Sequence, residues 1–403
     1  MSSNVNRREF VKRTVVGGVG LAAGLRAATM GGTASAAGGY TATVAACYGS
    51  DRADNAFRAL QYFKHEIAAA IGNKRVIIKP NFVVATTALA CTNVAWAEGV
   101  LEFLKSIGKT HVAFAECPYN GVAMEGYDYN NYLPLAKKYP VQFLSLSQEG
   151  VSQIQVFQLT DDIVPTKTIR VANIFRNPNN FIISACPMKT HDTGFATLSL
   201  KNVAMAAPIT DSGFPWNQSG ATRDKLWMHG NSGGTPGNAQ ALNNNVYWMA
   251  ANGIRPHLSV LDGYVGMQAN GPASGTAVSP GQQVGLVSLD YVAADRVALA
   301  LMTKSQLAPG ASGNTGGIWY TTFYGRQSKT PVTNIGPYPA YLNYCGQAGL
   351  GQWDLTKINV VSLGFPTGNY LDQAYDYTPN SNIRTAQIGA NGMYDTPPAM
   401  PPS

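Results

Sequence analysis

The 403-residue chain is long enough to bury a full core, as one large domain or two modest ones. Hydrophobic residues make up 45% of it and charged ones 13%, which excludes a disordered polyelectrolyte. The net charge is +7, but residues 1–36 hold Arg7, Arg8, Lys12, Arg13 and Arg26 against Glu9, a net of +4; only +3 remains elsewhere, so a nucleic-acid partner gains no support.

Residues 1–36 have the form of an export signal. Asn6-Arg7-Arg8-Glu9-Phe10-Val11-Lys12 has the twin-arginine pattern, Thr14 to Leu25 is an apolar run, and Ala34-Ser35-Ala36 is a small-residue cleavage site. The run is too short and glycine-rich for a comfortable membrane span. The expectation is export by the twin-arginine translocation machinery to the periplasm or extracellular space, leaving one domain over 37–403. That pathway carries folded proteins, often with a cofactor inserted, which favours a cofactor without naming one. Forty-two glycines, 23 prolines and 20 tyrosines add turns and long loops.

In chain order, Tyr40 to Cys47 reads as a strand. Phe57, Leu60, Phe63, Ile67 and Ile71 stand at helical spacing, so one helix is expected over 51–71, stopped by Gly72-Asn73. A buried strand follows at Arg75–Lys79, then a helix from a Thr92 cap to about Ile107, then a strand at Val112–Ala115. This strand–helix alternation implies a mostly parallel α/β sheet covered by helices on both faces, with long loop insertions. A weaker helix at Asn130–Lys138 leads to a strand at Val141–Leu146. Two surface strands are read at Val151–Leu159 and Ile169–Val171. Phe181 to Ile183 is a core strand expected to break at Cys186-Pro187. The polar stretch 208–238 is too long for a connector and is expected to close over a site. A helix at Gln240–Asn252, a strand at His257–Leu261, a strand at Val284–Ser288 and a helix at Tyr291–Lys304 follow. A helix at Pro339–Ala348 and a strand at Lys357–Leu363 close the domain, and the tail from 366 reads as loop.

Polar residues recur where these strands end: Lys79 and Asn81, Glu116, Lys189 and His191, Asp262, Asp290. Parallel strands present their carboxyl ends on one edge, so several of these residues are expected to share a cleft. Two chemistries fit. Lys79, Lys189 and Lys201 would hold a small anionic ligand, a carboxylate or phosphate, with Asn81, Thr190, Asn202 and Glu116 fixing its orientation. Lys189, His191 and Lys201 are then the catalytic candidates. Alternatively His191, His229, Asp262, Asp290 and Glu116 offer nitrogen and oxygen donors for a divalent metal, with His229, Asp262 and Asp290 as the leading set. Ordinary alternatives stand beside each: Asp262-Gly263 as a turn, Asp295 as a helix-start charge, His257 as a core histidine, Lys79 as an ion-pair partner.

The five cysteines are far apart, so no iron–sulfur cluster or structural zinc is expected from local spacing. Cys117 and Cys186 both follow a strand and precede a proline; they are the best guess for a disulfide, with unpaired buried thiols as the alternative. There is no G-x-G-x-x-G after the first strand, no P-loop, no H-E-x-x-H and no G-x-S-x-G, so nucleotide use has no motif support.

The order Lys79-Pro80-Asn81, Lys189-Thr190-His191, Ser199-Leu200-Lys201-Asn202, His229, Leu261-Asp262-Gly263, Gly271-Pro272, Asp290 and Asp295 resembles the domain of unknown function 362 family. The resemblance runs over about residues 43–363 and includes the closing Gly349-Leu350-Gly351. Many relatives are joined to ferredoxin-like modules and described as iron–sulfur or redox proteins. This chain lacks their cysteine clusters, so iron–sulfur ligation is not carried over. The resemblance implies a fold and a site, and no reaction. The expectation is an exported protein binding a small anion in a strand-end cleft. The other reading is an accessory protein of an extracytoplasmic redox complex, for which the aromatic stretches 216–248 and 319–344 would be contact surfaces and the strand-end edge would lack a closed pocket.

Overall fold

The computed structural model describes residues 40–158, 164–191, 194–210, 224–230, 236–269, 271–278, 283–303, 320–322, 329–331 and 339–364. The expected export signal, the tail from 366 and most of the 208–238 loop lie outside the described residues. The strands are β1 (Ala42–Tyr48), β2 (Arg75–Lys79), β3 (Val112–Glu116), β4 (Val141–Ser145), β5 (Val151–Gln158), β6 (Val164–Ala172), β7 (Asn180–His191), β8 (Phe195–Thr197), β9 (Leu258–Gln268), β10 (Thr276–Ala277), β11 (Val284–Ser288), β12 (Tyr320–Thr322), β13 (Lys329–Pro331) and β14 (Ile358–Leu363). The helices are α1 (Arg52–Tyr62), α2 (Lys64–Ile71), α3 (Val94–Ser106), α4 (Ala123–Tyr129), α5 (Ser199–Ala206), α6 (Asp224–Met228), α7 (Pro236–Ala251), α8 (Tyr291–Thr303) and α9 (Ala340–Gln347).

One sheet runs in the order β14-β1-β11-β9-β7-β2-β3-β4, with β10 paired to β9 and β8 to β7. Strands β4, β3, β2, β7 and β9 are mutually parallel, and β14 is parallel to β1. Strand β11 is antiparallel to both its neighbours. Period-two alternation divides the strands between two cores. Val76, Ile78, Phe181 and Ile183 face a core made with α1 to α4. Ile77, Ile182 and Cys186 face one made with α5, α7, α8, α9 and the β5–β6 hairpin. This is the mostly parallel sheet covered on both faces that the sequence leads one to expect.

Local departures from expectation have physical causes. The expected single helix over 51–71 divides at Phe63, whose N–H turns back to Leu60 O while its ring is buried under the sheet. The helix expected at 130–138 is replaced by α4 and a 3-10 turn over Leu133–Lys137, with Asn131 in the left-handed region (φ 60°) between them. The cap of α3 is Asn93, because the Thr92 hydroxyl is already engaged, donating to Ala185 O at 2.7 Å and accepting from Asn81 N–H at 2.8 Å. Strand β7 does not stop at Cys186-Pro187. It shifts register against β9 between Pro187 and Lys189, where proline's missing N–H breaks the ladder, and then continues to His191. Strand β9 likewise passes Asp262 and runs to Gln268.

The five cysteines are free thiols, all buried, and Cys117 and Cys186 are not bonded. The strand order explains why: β2 lies between β3 and β7, so the two residues sit about two strand spacings, roughly 10 Å, apart, beyond disulfide reach.

A candidate anion-binding cleft at the strand ends

The carboxyl ends of β2, β3 and β7, with β8, α5, α6 and the 272–273 turn, enclose a cleft of about 320 Å³. Its polar lining is Lys79, Asn81, Glu116, His191, Thr197, Lys201, Asn202, Lys225 and His229, and Phe82, Val83, Tyr119, Met205, Ala206 and Pro272 supply apolar walls. Volume and mixed lining suit a small-molecule site.

The floor is a closed hydrogen-bond network. Lys79 Nζ stands 2.7 Å and 2.8 Å from the two Glu116 oxygens, with the side chains of both only 2% exposed. Glu116 also accepts the N–H of Phe82 and of Cys117, each at 2.7 Å. Lys79 further donates to Pro80 O and to Asn202 Oδ1. Asn202 in turn takes Asn81 Nδ2 at 2.8 Å and donates to Lys79 O and Ser184 Oγ. Burial pushes the Lys79 ammonium down from its ordinary value, and Glu116 opposes that shift. Lys79 and Glu116 are therefore an ion pair at the floor of the cleft, the ordinary alternative for Lys79.

Lys189 lies behind this floor and does not line the cleft. Its Nζ donates to Asn81 Oδ1 at 2.5 Å and Ala90 O at 2.7 Å, and it is fully buried. Desolvation pushes its pKa down to about 8. Thr190 is also buried outside the lining, its hydroxyl unpartnered. Between about pH 8 and pH 10.5 the unfolded chain holds the Lys189 proton and the folded chain does not, so this residue makes stability rise with pH there. Relative to Lys189→Met, wild type should gain about 3 kcal/mol across that window in urea unfolding. A flat difference would assign Lys189 an ordinary pKa.

The open side of the cleft is cationic. Lys201, in the first turn of α5, and Lys225, on α6, both line it. Lys225 also donates to Met205 O at 2.7 Å. Glu116, which Lys79 already balances, is the only carboxylate among the described lining residues. Gly194 makes room for Lys201: a Cβ there would lie 3.0 Å from Lys201 Cε. The β7–β8 turn places Thr197 beside the site. It holds buried Phe195 at φ 67°, a region rare for an aromatic, and leaves the Thr197 hydroxyl buried without a hydrogen-bond partner. Gly271 sits so close to β7 that a Cβ would stand 2.1 Å from Thr190 O, and this approach carries Pro272 and Ala273 to the rim.

The two lining histidines stack, with ring centroids 6.3 Å apart. Gly194 N–H donates to His191 Nδ1 at 3.0 Å, and His229 Nδ1 lies 2.8 Å from Lys225 O. Tyr119 packs edge-on to His229.

Of the metal candidates, His191, His229 and Glu116 line the cleft, and Asp262 and Asp290 do not join them. Asp262 is fully buried and bound to Arg52 at 3.0 Å, with Oδ1 accepting Tyr264 N–H, and it does not line the cleft. Asp290 sits at the opposite sheet edge. Because β11 runs antiparallel, its end meets the beginning of β9, Ser288 pairing with Ser259. There Asp290 caps α8 through the N–H groups of Val292 and Ala293, accepts Gln352 N–H and takes the Tyr40 hydroxyl. Among the described residues no three His, Cys, Asp or Glu side chains converge on a common point for a metal.

The site expected from the sequence has Lys79, Asn81, Glu116, His191, Lys201, Asn202 and His229 in the lining of the cleft, and Lys189, Thr190, Asp262 and Asp290 outside it. Lys225, Thr197 and Tyr119 are lining residues it does not include. Lys225 had a signal: it stands four residues before His229, one helical turn, inside the long polar stretch.

Residues 76–300 match the family described as Domain of unknown function (DUF362). No curated protein matches the chain. A crystal structure of a protein from Thermotoga maritima is similar with a TM-score of 0.32 and 11% identity, over 52% of this chain and 50% of that one. The chain thus spans half the length of that structure.

Proposed function

Since the chain belongs to the Domain of unknown function (DUF362) family, whose matched segment includes every lining residue of the cleft, we propose that it binds a small anionic substrate or cofactor there. The observation that carries this reading is the charge of the lining: Lys201 and Lys225 with two histidines, against one carboxylate already balanced by Lys79. The buried, unpartnered Thr197 hydroxyl supports it, since an oxygen of a carboxylate or phosphate would satisfy that group. Charge-assisted bonds from lysine give such an anion its affinity, and Asn81 and Asn202 hold the floor rigid beneath it.

Inorganic phosphate and acetate, titrated calorimetrically, are the probes. Lys201→Met should weaken binding by about tenfold to a hundredfold while leaving the melting profile intact. Loss of the fold instead would make Lys201 a structural lysine. The accessory-protein reading is less supported. Tyr247, Trp248, Tyr341 and Tyr344, from the stretches it would use as contact surfaces, are buried.

The export proposal stands on residues 1–36 alone. Among the described residues no helix is long and apolar enough to cross a membrane. Replacing Arg7 and Arg8 by lysine in the native host should leave the protein in the cytoplasm; unchanged export would remove the twin-arginine route.

A further inference from the structure

The polarity of the cleft runs inward. Ordinarily buried side chains are apolar and polar ones reach water. Here the covered lining is polar: Lys201 is 4% exposed, Lys225 3%, Thr197 2% and His191 4%. The lining residues that reach solvent are instead Val83, Tyr119, Met205, Pro272 and Ala273, all partly exposed, with His229 as the polar exception. Helix α5 shows the change within one turn: Lys201 is covered, and Met205, four residues on, is partly exposed. Charge therefore sits inside the cleft and apolar surface around its mouth. Size points the same way. A volume of about 320 Å³, at about 30 Å³ for each water-sized group, has room for about ten such groups. Acetate or inorganic phosphate would fill about half of it or less, and neither would cover the apolar mouth.

We infer that the ligand is an amphiphilic anion that enters head first. Its carboxylate or phosphate group lies beside Lys201, Lys225 and Thr197. Its apolar body, of about five to seven carbons, lies against Val83, Met205, Pro272 and Ala273. This rests on the anion-binding reading and narrows it to anions that carry an aliphatic or aromatic body. The two parts reinforce each other. The body seals the mouth against water, which strengthens the attraction between the head and the lysines beneath. The head in turn fixes the depth of entry, so a body of suitable length reaches the rim. A second charge or a run of hydroxyls at the rim would give up hydration against Val83, Met205 and Pro272. Dicarboxylates and sugar phosphates are therefore the anions this cleft selects against.

Acetate, butyrate and hexanoate, titrated calorimetrically into the full-length protein, test this. Each buried methylene should tighten binding by up to about fourfold, giving about a hundredfold from acetate to hexanoate. The heat-capacity change on binding should grow more negative along the series. Phenyl phosphate should likewise bind more tightly than inorganic phosphate, and succinate should bind no better than acetate. Lys201→Met should weaken every member of the series. Met205→Gln should instead cut the ratio of hexanoate to acetate affinity by about threefold to tenfold. Val83→Thr, close to valine in shape, takes its place if Met205→Gln does not fold. Equal binding along the series, or succinate matching butyrate, overturns the inference and leaves the anion site standing. Hexanoate binding that Lys201→Met leaves unchanged places the chain elsewhere and overturns it as well. If none of these anions binds, the anion site falls and the inference with it.

Discussion

Glu116→Ala should cost about 3–5 kcal/mol, a large share of the roughly 5–15 kcal/mol that stabilises an ordinary domain. The substitution leaves the Lys79 ammonium buried with no counter-charge, holding only Pro80 O and Asn202 Oδ1. It also strips the N–H groups of Phe82 and Cys117 of their acceptor. Lys79→Met is the milder change. Glu116 keeps the N–H donors of Phe82 and Cys117, so no buried ammonium is left without a counter-charge. Combining Lys79→Met with Glu116→Gln removes both charges and retains an amide oxygen for one of the N–H groups, so it should recover most of the loss. Urea unfolding of the four proteins closes a double-mutant cycle. A coupling energy near zero would mean that the pair is incidental and that the floor is held by its amides alone. The pair also decides the charge of the cleft. With Lys79 neutralised by Glu116, attraction for an anion falls to Lys201 and Lys225.

Much of this was legible before the fold, and the reason is direction. Strands joined by helical crossovers run parallel, so Lys79 and Glu116 had to end on one edge, and the turn after β2 had to bring Asn81 with them. Asp290 broke the rule because β11 follows β9 without a described helix between them and returns antiparallel. The absence of a helical pattern between 262 and 284 was the sequence signal that a crossover was missing. Lys189 and Thr190 failed for a different reason. A strand read as ending at Cys186-Pro187 in fact continues, and alternation along it turns Thr190 away from the face that His191 presents, while Lys189 is drawn behind the floor by its bonds to Asn81 Oδ1 and Ala90 O. His191 reaches the lining and Thr190 does not. The Cys117–Cys186 pairing needed strand order, which periodicity does not encode: placing β2 between β3 and β7 is a tertiary fact.

Asp295, an apparent helix-start charge in the sequence, should dominate the pH dependence of stability. It is fully buried on α8, and its two oxygens accept Ser199 N–H at 2.7 Å and Leu200 N–H at 2.9 Å, the first two residues of α5. It therefore caps, from a neighbouring helix, the N–H groups that α5 cannot satisfy itself. Burial raises its pKa to about 8, with the two N–H bonds opposing and the Asp290 charge adding to the rise. Between about pH 4 and pH 8 the folded chain holds this proton and the unfolded chain does not, so its contribution to stability is full at the acid end and falls as pH rises. At about 1.4 kcal/mol per pH unit the fall is of the order of 5 kcal/mol. Asp295→Asn is neutral throughout and keeps one acceptor oxygen, at a cost of about 1–3 kcal/mol for the lost bond. Wild type should therefore be the more stable protein near pH 4 and lose that advantage before pH 8, as read by urea unfolding in a pH series. Parallel curves would mean that the α5 N–H groups keep Asp295 ionised across the window. The consequence reaches the cleft, because α5 carries Lys201 and Asn202 in its opening turn. Asp295→Ala removes both acceptors and lets that turn move, so it should weaken anion binding together with stability. Asp295→Asn should weaken binding much less, because one bond still fixes where Lys201 stands.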